Sequence, residues 1–401
     1  IIYKKMIAKN DNYKKISKFF YLIKKKIYYL IIFFLIFFAP NFVYAELKVF
    51  DIQQNEINTL INSKVKESFS YAGLASFYNN VSAYIISKDK IKKINDKNLF
   101  ILNNNQSLAI VGHHKILIID NYRETIGFDN GRLIFKENNI KNNYDNDKVS
   151  VQILLKSDFN QIPRKFYKLK YVHLWEPLRS LSLLIEIIFI WLNTIHNFGW
   201  GFNIILLSFV FKIFTLPASI MLIFAQRRVS NIQRSLESEL ESIKLKYSGE
   251  DAHIRFINAH KAKGVTPFYN LRPLLFTLFP IPFLISIFNV LGESNLISGN
   301  SFLWIKDLAY PDAIFYLNIQ IPLLGNSINL LPIVMTLLSI LGAVLFKNKI
   351  VNEKELFKQK INLFLMCIGF LILFYSFPSA MVLYWVFNNI WQLIQQKFIS
   401  I

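Results

Sequence analysis

Five long apolar runs, separated by polar connections, occupy the second half of the chain. A helix needs about 20 apolar residues to cross a bilayer, and each run approaches that length. The pattern therefore predicts five membrane-spanning helices. They lie near residues 200–225, 271–292, 328–346, 360–377 and 379–398.

Another apolar run, at residues 178–198, is interrupted by Glu186 and two other polar residues. Trp191 and Trp200 suit the headgroup level of a membrane, where an indole ring keeps its N–H in contact with water. We therefore predict an interfacial helix over residues 178–198.

The connection that follows the first span has a helical rather than a loop pattern. Apolar residues recur at steps of three and four from Val229 to Tyr247, with charged residues between them. Asp251 is a candidate N-cap and Gly264 a candidate C-cap of a second helix. The sequence predicts a helical hairpin over residues 226–264, with four candidate functional residues: Arg227, Arg228, Arg234 and Gly264.

Residues 46–172 have a different pattern, with short alternating runs separated by Asn, Asp and Gly clusters. Examples are "SAYIISK", "KILIID", "RLIFKEN" and "KVSVQILLK". Alternation at a period of two is typical of half-buried strands. We predict a small all-β domain outside the membrane.

Residues 1–45 combine a basic flank with an apolar stretch of about 13 residues and small Ala45. The segment is either a cleaved signal peptide or a retained first span, and the pattern favours neither. Both alternatives deliver residues 46–172 to the outer side.

The composition, 53% hydrophobic and 16% aromatic, is that of a membrane protein. A net charge of +20 could indicate nucleic-acid binding, but the lysines concentrate at the N-terminus and between apolar runs. The positive-inside rule assigns such connections to the cytoplasm. We therefore expect no nucleic-acid partner, place the connections 226–270 and 347–359 inside, and place the β domain outside.

Histidine and cysteine residues give no metal site. His113 and His114 are adjacent, so on a strand they point to opposite faces, and we expect solvated strand residues. His253 and His260 have no carboxylate or cysteine spaced to complete a site. Cys367 is the single cysteine, which excludes a disulfide within the chain. We predict no cofactor, no metal and no catalytic residue.

Lys212 lies in the middle of the first span, about 20 Å from the basic end of the helix at 1.5 Å per residue. Its side chain cannot reach water over that distance, and a cation facing lipid costs several kcal/mol. Helical spacing puts it on one polar stripe with three hydroxyl residues, Ser208, Thr215 and Ser219. The last span repeats Tyr384, Asn388 and Gln392 at steps of four, with Trp385 beside them.

Two interpretations of these stripes are open. In one, the hydroxyls bond only to their own helix backbone and Lys212 pairs with a buried carboxylate. In the other, both stripes line a polar cavity. The spans contain almost no Asp or Glu, which favours the cavity.

Several motifs, in order, resemble the YidC/Oxa/Alb family of membrane protein insertases over residues 175–398. They are "NFGWGFNIILLSFVFKIFTLP", "KGVTP", "RPLLFTLFPIPF", "FLWIKDLAYPD", "LPIVMTLL" and "FPSAMVLYWVFNNIWQLIQQ". The resemblance implies a five-helix core with a hydrophilic groove, in which Lys212 occupies the position of a family arginine. It also implies a bacterial inner-membrane location, with nascent membrane proteins and the lipid bilayer as partners.

The chain departs from the family pattern at several positions. Lys212 keeps the charge of the family arginine but not its planar fork. Ala380 stands where the family usually has glycine. The sequence has no basic tail after the last span, so ribosome binding through a tail is not expected, and cooperation with the Sec translocon is left open.

Two other function classes stay open from the sequence. A secondary transporter would use Lys212 as a coupling or substrate site, although the spans show no internal repeat. A chaperone for membrane assembly would use the same groove without inserting anything.

Overall fold

The computed structural model describes twelve stretches of the chain. The predicted signal or first span at residues 1–45 lies outside the described residues, and so do residues 346–352 of the second basic connection. The stretches are residues 49–52, 54–66, 69–87, 90–94, 100–102, 106–120, 125–129, 132–136, 149–156, 164–266, 268–345 and 353–399.

The first part of the described chain is built on antiparallel sheets. Six strands form one sheet in the order β1-β9-β6-β5-β2-β3, and β4, β7 and β8 form a second sheet. Four of the strands coincide with the alternating runs of the sequence. The strands are β1 (Val49–Ile52), β2 (Ser82–Ser87), β3 (Lys90–Lys93), β4 (Phe100–Ile101), β5 (Gln106–Val111), β6 (Lys115–Asp120), β7 (Thr125–Asp129), β8 (Arg132–Lys136) and β9 (Val149–Leu155).

This β region is not purely β, so the expectation of an all-β domain is wrong. Helix α1 (Gln54–Leu60) continues into a π-helical turn, and Ile57 and Ile61 pack on one face of the large sheet. Phe166 and Leu169, from a short 3₁₀ turn, cover the other face. Strands covered on both faces become continuously apolar, which is why β6 has a buried "ILII" run.

Eight further α-helices follow among the described residues. Buried residues of α2, α3, α6, α7 and α9 form one hydrophobic core with Tyr71 and Tyr78 of the β region. The helices are α2 (Glu176–His196), α3 (Trp200–Lys246), α4 (Gly249–Ala262), α5 (Arg272–Leu278), α6 (Ile281–Glu293), α7 (Leu330–Leu345), α8 (Glu353–Phe374) and α9 (Ser379–Ile399).

By length and composition, three helical stretches of the described chain could cross a membrane: Glu176–His196, Trp200–Lys246 and Pro273–Glu293. Shorter apolar helices run over Leu330–Val344 and Ile361–Phe374. The first of these stretches is α2, which the sequence analysis predicted as interfacial. The length of α2 is therefore compatible with a crossing as well.

Helix α3 joins two elements that the sequence analysis treated separately. The first span and the first helix of the hairpin form one helix of 47 residues, without a break at residue 226. At 1.5 Å per residue this helix is about 70 Å long, more than twice the hydrocarbon thickness of a bilayer. Pro217 lies inside it and has no N–H to donate to the carbonyl of Ile213.

The predicted span at residues 271–292 is interrupted. Helix α5 ends at Leu278 and α6 begins at Ile281, with Pro280 between them. Proline removes a backbone donor and its ring clashes with the preceding turn, which breaks a helix. The break divides this apolar stretch into two helices.

The connection between α6 and α7 contains an antiparallel hairpin that the sequence analysis missed. Its strands are β10 (Ala313–Ile321) and β11 (Gly325–Asn329), and they are paired Phe315 to Ile328 and Ile321 to Gly325. Register irregularities interrupt the pairing, so the period-two pattern is weak in the sequence.

Candidate substrate groove

The two predicted polar stripes meet where α3 packs on α9. Lys212 is half-buried, and its Nζ donates a hydrogen bond to the Oε1 of Gln392. One stripe contributes the cation and the other contributes a neutral acceptor. The hydrogen-bond partner of the amine is therefore a neutral amide rather than an anion.

The hydroxyls of the first stripe are satisfied locally. Ser208 donates to the carbonyl of Ile205 at 2.7 Å, Thr215 to that of Phe211 at 3.1 Å. Ser219 donates to the carbonyl of Thr215 at 3.1 Å. All three hydroxyls therefore donate to their own helix, as the first interpretation expects, but Ser208 also accepts a hydrogen bond from another helix.

The first interpretation also expected Lys212 to pair with a buried carboxylate. This expectation does not hold, because two buried glutamates near the core bind other lysines. Glu186 of α2 accepts from Lys170 at 2.7 Å, and Glu293 at the end of α6 accepts from Lys156 at 2.6 Å. All four side chains are at most 8% exposed. No carboxylate among the described residues forms a salt bridge with Lys212.

A second link between α3 and α9 was not predicted. Trp391 donates its Nε1 hydrogen to the Oγ of Ser208 at 3.0 Å, and Ser208 is fully buried. Ser208 lies one turn of α3 before Lys212, and Trp391 directly precedes Gln392 in α9. The spacing of the second stripe does not predict this bond. Trp391 is adjacent to Gln392, so it lies on a different face of α9 from the stripe.

The remaining residues of the second stripe have different surroundings. Tyr384 is fully buried between Phe211 and Phe288, and its hydroxyl has no hydrogen-bond partner among the described residues. Trp385 packs against aromatic rings of α6 and α8, and its ring centroid lies 5.3 Å from that of Phe374. Trp385 therefore contributes to the helix core. Asn388 is half-buried.

Asn389, which was not predicted, holds α9 on α7. Its Nδ2 lies 2.9 Å from the Oγ of Ser339 and 3.3 Å from the carbonyl of Met335. The sequence pattern offered two adjacent asparagines, and only the structure shows which one bonds to the neighbouring helix.

The predicted hairpin has an apolar seam. Leu236 and Ile243 of α3 are buried against Ala259 of α4. Gly264 follows the end of α4 with a φ of 68°, the left-handed conformation usual after a helix C-terminus. The candidate arginines Arg227, Arg228 and Arg234 are exposed along the α3 arm.

His113 and His114 connect the β region to the helices, and the expectation that they are solvated is wrong. They are 5% and 2% exposed and stack at a centroid distance of 4.0 Å. His113 Nε2 lies 2.5 Å from the carbonyl oxygen of Gly292, near the end of α6. Burial, reinforced by nearby His114 and Lys156, lowers the pKa of His113 from 6.5 to about 2. The neutral ring therefore donates to Gly292.

No group of three or more His, Cys, Asp or Glu side chains in the described part of the chain could hold a metal ion. The two polar stripes consist of one amine, amides, hydroxyls and aromatic rings. These groups can bind and solvate a polar chain by hydrogen bonds and charge.

Comparison with known proteins gives the family. The sequence model of the 60Kd inner membrane protein family matches residues 191–401, just over half of the chain. The chain belongs to this family. The matched region contains α3 to α9 and both polar stripes, so we refer to α3 and α5–α9 as the family core.

Curated relatives carry the name "Membrane protein insertase YidC". The protein of Chlorobaculum parvum is 30% identical over 229 residues, 56% of this chain and 37% of that one. The Chlamydia caviae protein is 33% identical over 50% of this chain and 25% of its own length. The Treponema denticola protein is 28% identical, and the match covers 70% of this chain and 45% of that one. The chain thus spans less than half the length of these relatives.

A solved structure titled "Active YidC insertase crystal structure with the first transmembrane domain resolved" is also similar. It is 20% identical, and the match covers 75% of this chain and 65% of that one with a TM-score of 0.36. The family membership and the apolar helices together identify the chain as a multi-pass membrane protein.

Proposed function

We propose that this chain is a membrane protein insertase that passes nascent membrane proteins through the Lys212 groove into the lipid bilayer. The name of the curated relatives supports this reaction class. The observation that carries the proposal is the contact of Lys212 with Gln392, a charged amine in an apolar helix held by a neutral partner.

The groove would lower the cost of moving a hydrophilic tail part-way across the membrane. A polar or charged group in hydrocarbon without a partner costs several kcal/mol. Lys212 offers its charge to an acidic tail, and Gln392 and Asn388 offer amide groups. Burial of the apolar segment in lipid then drives the substrate out of the groove.

In this proposal α3, α5–α6, α7, α8 and α9 form a five-helix core, with α2 at the interface. The hairpin of α3 and α4 lies in the cytoplasm and receives the substrate through Arg227, Arg228, Arg234 and the turn at Gly264. The β region lies on the periplasmic side of the bacterial inner membrane. The chain works alone or beside the Sec translocon.

Rescue of cells depleted of their own insertase tests the proposal. We expect wild type and Lys212→Arg to rescue growth, because both keep a cation in the groove. Lys212→Met keeps the length of the side chain but removes its charge. We expect Lys212→Met to lose about 2.5–3.5 kcal/mol of stabilisation of an acidic tail in the membrane. This corresponds to about a hundredfold loss in insertion rate for substrates with acidic outer tails.

Lys246→Met is the matched control, because Lys246 lies exposed at the end of the same helix. We expect this variant to rescue fully, with membrane levels of all variants compared by immunoblot. Full rescue by Lys212→Met at normal levels would overturn a charge-based groove.

Photo-crosslinkers at Thr215 and Tyr384 separate insertion from transport. We expect both positions to crosslink to nascent membrane chains during synthesis. Crosslinking to no nascent chain, together with uptake of a small solute by vesicles containing the protein, would instead support a transporter.

A further inference from the structure

The hairpin of β10 and β11 presents an unusual apolar surface. Phe315, Tyr316 and Ile319 are 65%, 67% and 73% exposed, and Leu323 in the turn is 58% exposed. A two-stranded hairpin is marginally stable in water, and exposed apolar patches mark contact surfaces. Something other than water must cover these side chains.

The hairpin is also uncharged. Residues 313–329 contain no Lys, Arg, Asp or Glu, although 18% of the whole chain is charged. Soluble proteins protect an exposed edge strand with charged residues against pairing with other chains. The absence of charge over these 17 residues fits an apolar environment better than water.

Hydrogen bonds fix the hairpin to the ends of the helices. The Tyr375 hydroxyl donates to the carbonyl of Ser327 at 3.1 Å, and Asn329 Nδ2 donates to the carbonyl of Tyr375 at 2.6 Å. Ser376 Oγ lies 3.4 Å from the carbonyl of Leu323. Tyr375 and Ser376 belong to the turn between α8 and α9, so the hairpin lies at the level of that turn.

The helices next to the hairpin also expose apolar side chains. Leu337 of α7 is 61% exposed, and Phe364 and Leu365 of α8 are 55% and 60% exposed. In a multi-pass membrane protein such exposed apolar faces contact lipid. Leu303 and Trp304, in the loop before the hairpin, are also 74% and 43% exposed.

The nearby carboxylates do not oppose contact with lipid headgroups, because backbone N–H groups bind them. Asp312 accepts from Leu331 at 2.7 Å and from the Trp304 indole at 3.1 Å. Asp307 accepts from the backbone of Gly299 and of Ala309, each at 2.8 Å. An indole and a phenol at this level match the aromatic belt of membrane proteins.

We propose that the β10–β11 hairpin is a lipid-docking element, seated in the headgroup and acyl boundary of the leaflet at the α8–α9 turn. Elements of this kind bury their apolar side about 5–10 Å into that boundary. The hairpin thereby fixes the height of the α7 and α9 ends in the bilayer, independently of which reaction the groove performs.

Site-specific fluorescence tests the proposal. Single cysteines replace Ile319 and Phe315 in a Cys367→Ala background, and each is labelled with an environment-sensitive fluorophore. Each protein is then placed, one copy per disc, in phosphatidylcholine nanodiscs with or without a nitroxide on an upper acyl carbon. We expect a blue-shifted emission, strong quenching by the lipid nitroxide and weak quenching by aqueous iodide.

Two matched positions calibrate the result. Leu365→Cys reports a lipid-facing helix, and Lys90→Cys reports an exposed strand of the β region. Iodide quenching at Ile319 equal to that at Lys90, with no lipid quenching, would overturn the proposal. A blue shift that depends on protein concentration and resists both quenchers would overturn it too, because a second copy would then cover the hairpin.

The Cys367→Ala protein without an added cysteine has no thiol, so it gives the labelling background. Cys367 itself is buried. Normal size-exclusion behaviour and unchanged helix content check that each labelled variant is folded. The readout is local to the hairpin, so it does not depend on insertion activity, and its failure leaves the proposed function untouched.

Discussion

At the scale of single residues, the central feature is a lysine whose partner is neutral. Lys212 binds Gln392, while Glu186 and Glu293 bind other lysines. A buried ion pair would cancel the charge in the proposed groove, whereas an amide oxygen adds no opposing charge. The choice of glutamine at position 392 is therefore as informative as the lysine.

Gln392→Glu tests that interpretation. A carboxylate beside Lys212 would neutralise the groove, so we expect insertion of a substrate with an acidic tail to fall about tenfold, equivalent to about 1.4 kcal/mol. A substrate with a neutral tail should insert as before. Protease protection of the tail measures both.

Gln392→Met is the control for that experiment, because it preserves side-chain length and introduces no carboxylate beside Lys212. We expect it to keep most of the insertion of the acidic substrate. Equal activity of Gln392→Glu and wild type would contradict the role given to the unpaired charge.

His113 gives a second residue-scale prediction, on pH. The pKa of His113 is about 2 in the folded protein and 6.5 in the unfolded chain. Its contribution to the free energy of unfolding is therefore complete above about pH 6.5 and is lost as the pH falls. The loss is about 1.4 kcal/mol per pH unit below that point. We expect denaturant unfolding of the β region in detergent to shift by about 2 kcal/mol between pH 7 and pH 5.

His113→Gln should flatten this pH dependence, because its amide can donate to Gly292 without titrating. His253→Gln, at an exposed position on α4, is the control and should keep the wild-type dependence. An unchanged pH profile in His113→Gln would exclude His113 as its source.

At the scale of elements, the β region is attached to the helix core by a small number of buried polar contacts. Glu293 at the end of α6 accepts from Lys156 and lies 3.3 Å from Nδ1 of His173. Tyr71, two residues before the 3₁₀ turn Gly73–Asn79, donates its hydroxyl hydrogen to the carbonyl of Ala309 at 2.7 Å. The end of α6 and the loop after it therefore hold the β region on the helix core.

A double-mutant cycle on Lys156 and Glu293 measures the strength of this anchor. Lys156→Met or Glu293→Gln alone leaves one buried group without its partner, and we expect each to cost about 3–5 kcal/mol in denaturant unfolding. The double variant should cost clearly less than the sum of the two. Strict additivity would mean that the two side chains do not stabilise each other.

The hairpin of α3 and α4 depends on its apolar seam. Leu236 is fully buried, so Leu236→Ala should destabilise the hairpin by about 2–5 kcal/mol and speed trypsin cleavage near Lys244 and Lys246. Leu245→Ala is the matched control, because Leu245 on the same helix is 87% exposed. Equal cleavage rates in the two variants would contradict the packing of α4 against Leu236.

Local patterns predicted many of the elements. Helical periodicity indicated the hairpin, and Gly264 indicated its end, because capping depends on a few neighbouring residues. The same reasoning missed the continuity of α3 across residue 226, since polar and apolar stretches of one helix differ only in what surrounds them. It also missed α1, whose seven residues are too few for a clear helical period.

Long-range contacts could not be predicted from these patterns. The sequence placed Lys212 on a polar stripe, but the identity of Gln392 as its acceptor depends on the register of α3 against α9. His113 was predicted to be a solvated strand residue because adjacent strand residues point to opposite faces, and only the packing of the β region against the end of α6 buries it. Trp391 and Asn389 were missed for the same reason.

At the scale of the whole molecule, the chain combines a family core with a β region that lies outside the family match. The residues of the proposed groove lie on α3 and α9, and the contacts of Glu293, Gly292 and Ala309 with the β region lie at the end of α6 and in the loop after it. This separation predicts that weakening the β-region contacts lowers stability more than it lowers insertion. Lys212→Met should have the opposite effect.

Insertion by the purified protein in liposomes tests the central proposal most directly. A single-span substrate with an acidic tail is synthesised in the presence of liposomes containing wild type, Lys212→Arg or Lys212→Met, and protease protection of the tail is measured. We predict protection with wild type and Lys212→Arg, and at least a tenfold decrease with Lys212→Met, the effect of about 1.4 kcal/mol. Equal protection by Lys212→Met, or by liposomes without protein, would contradict the account.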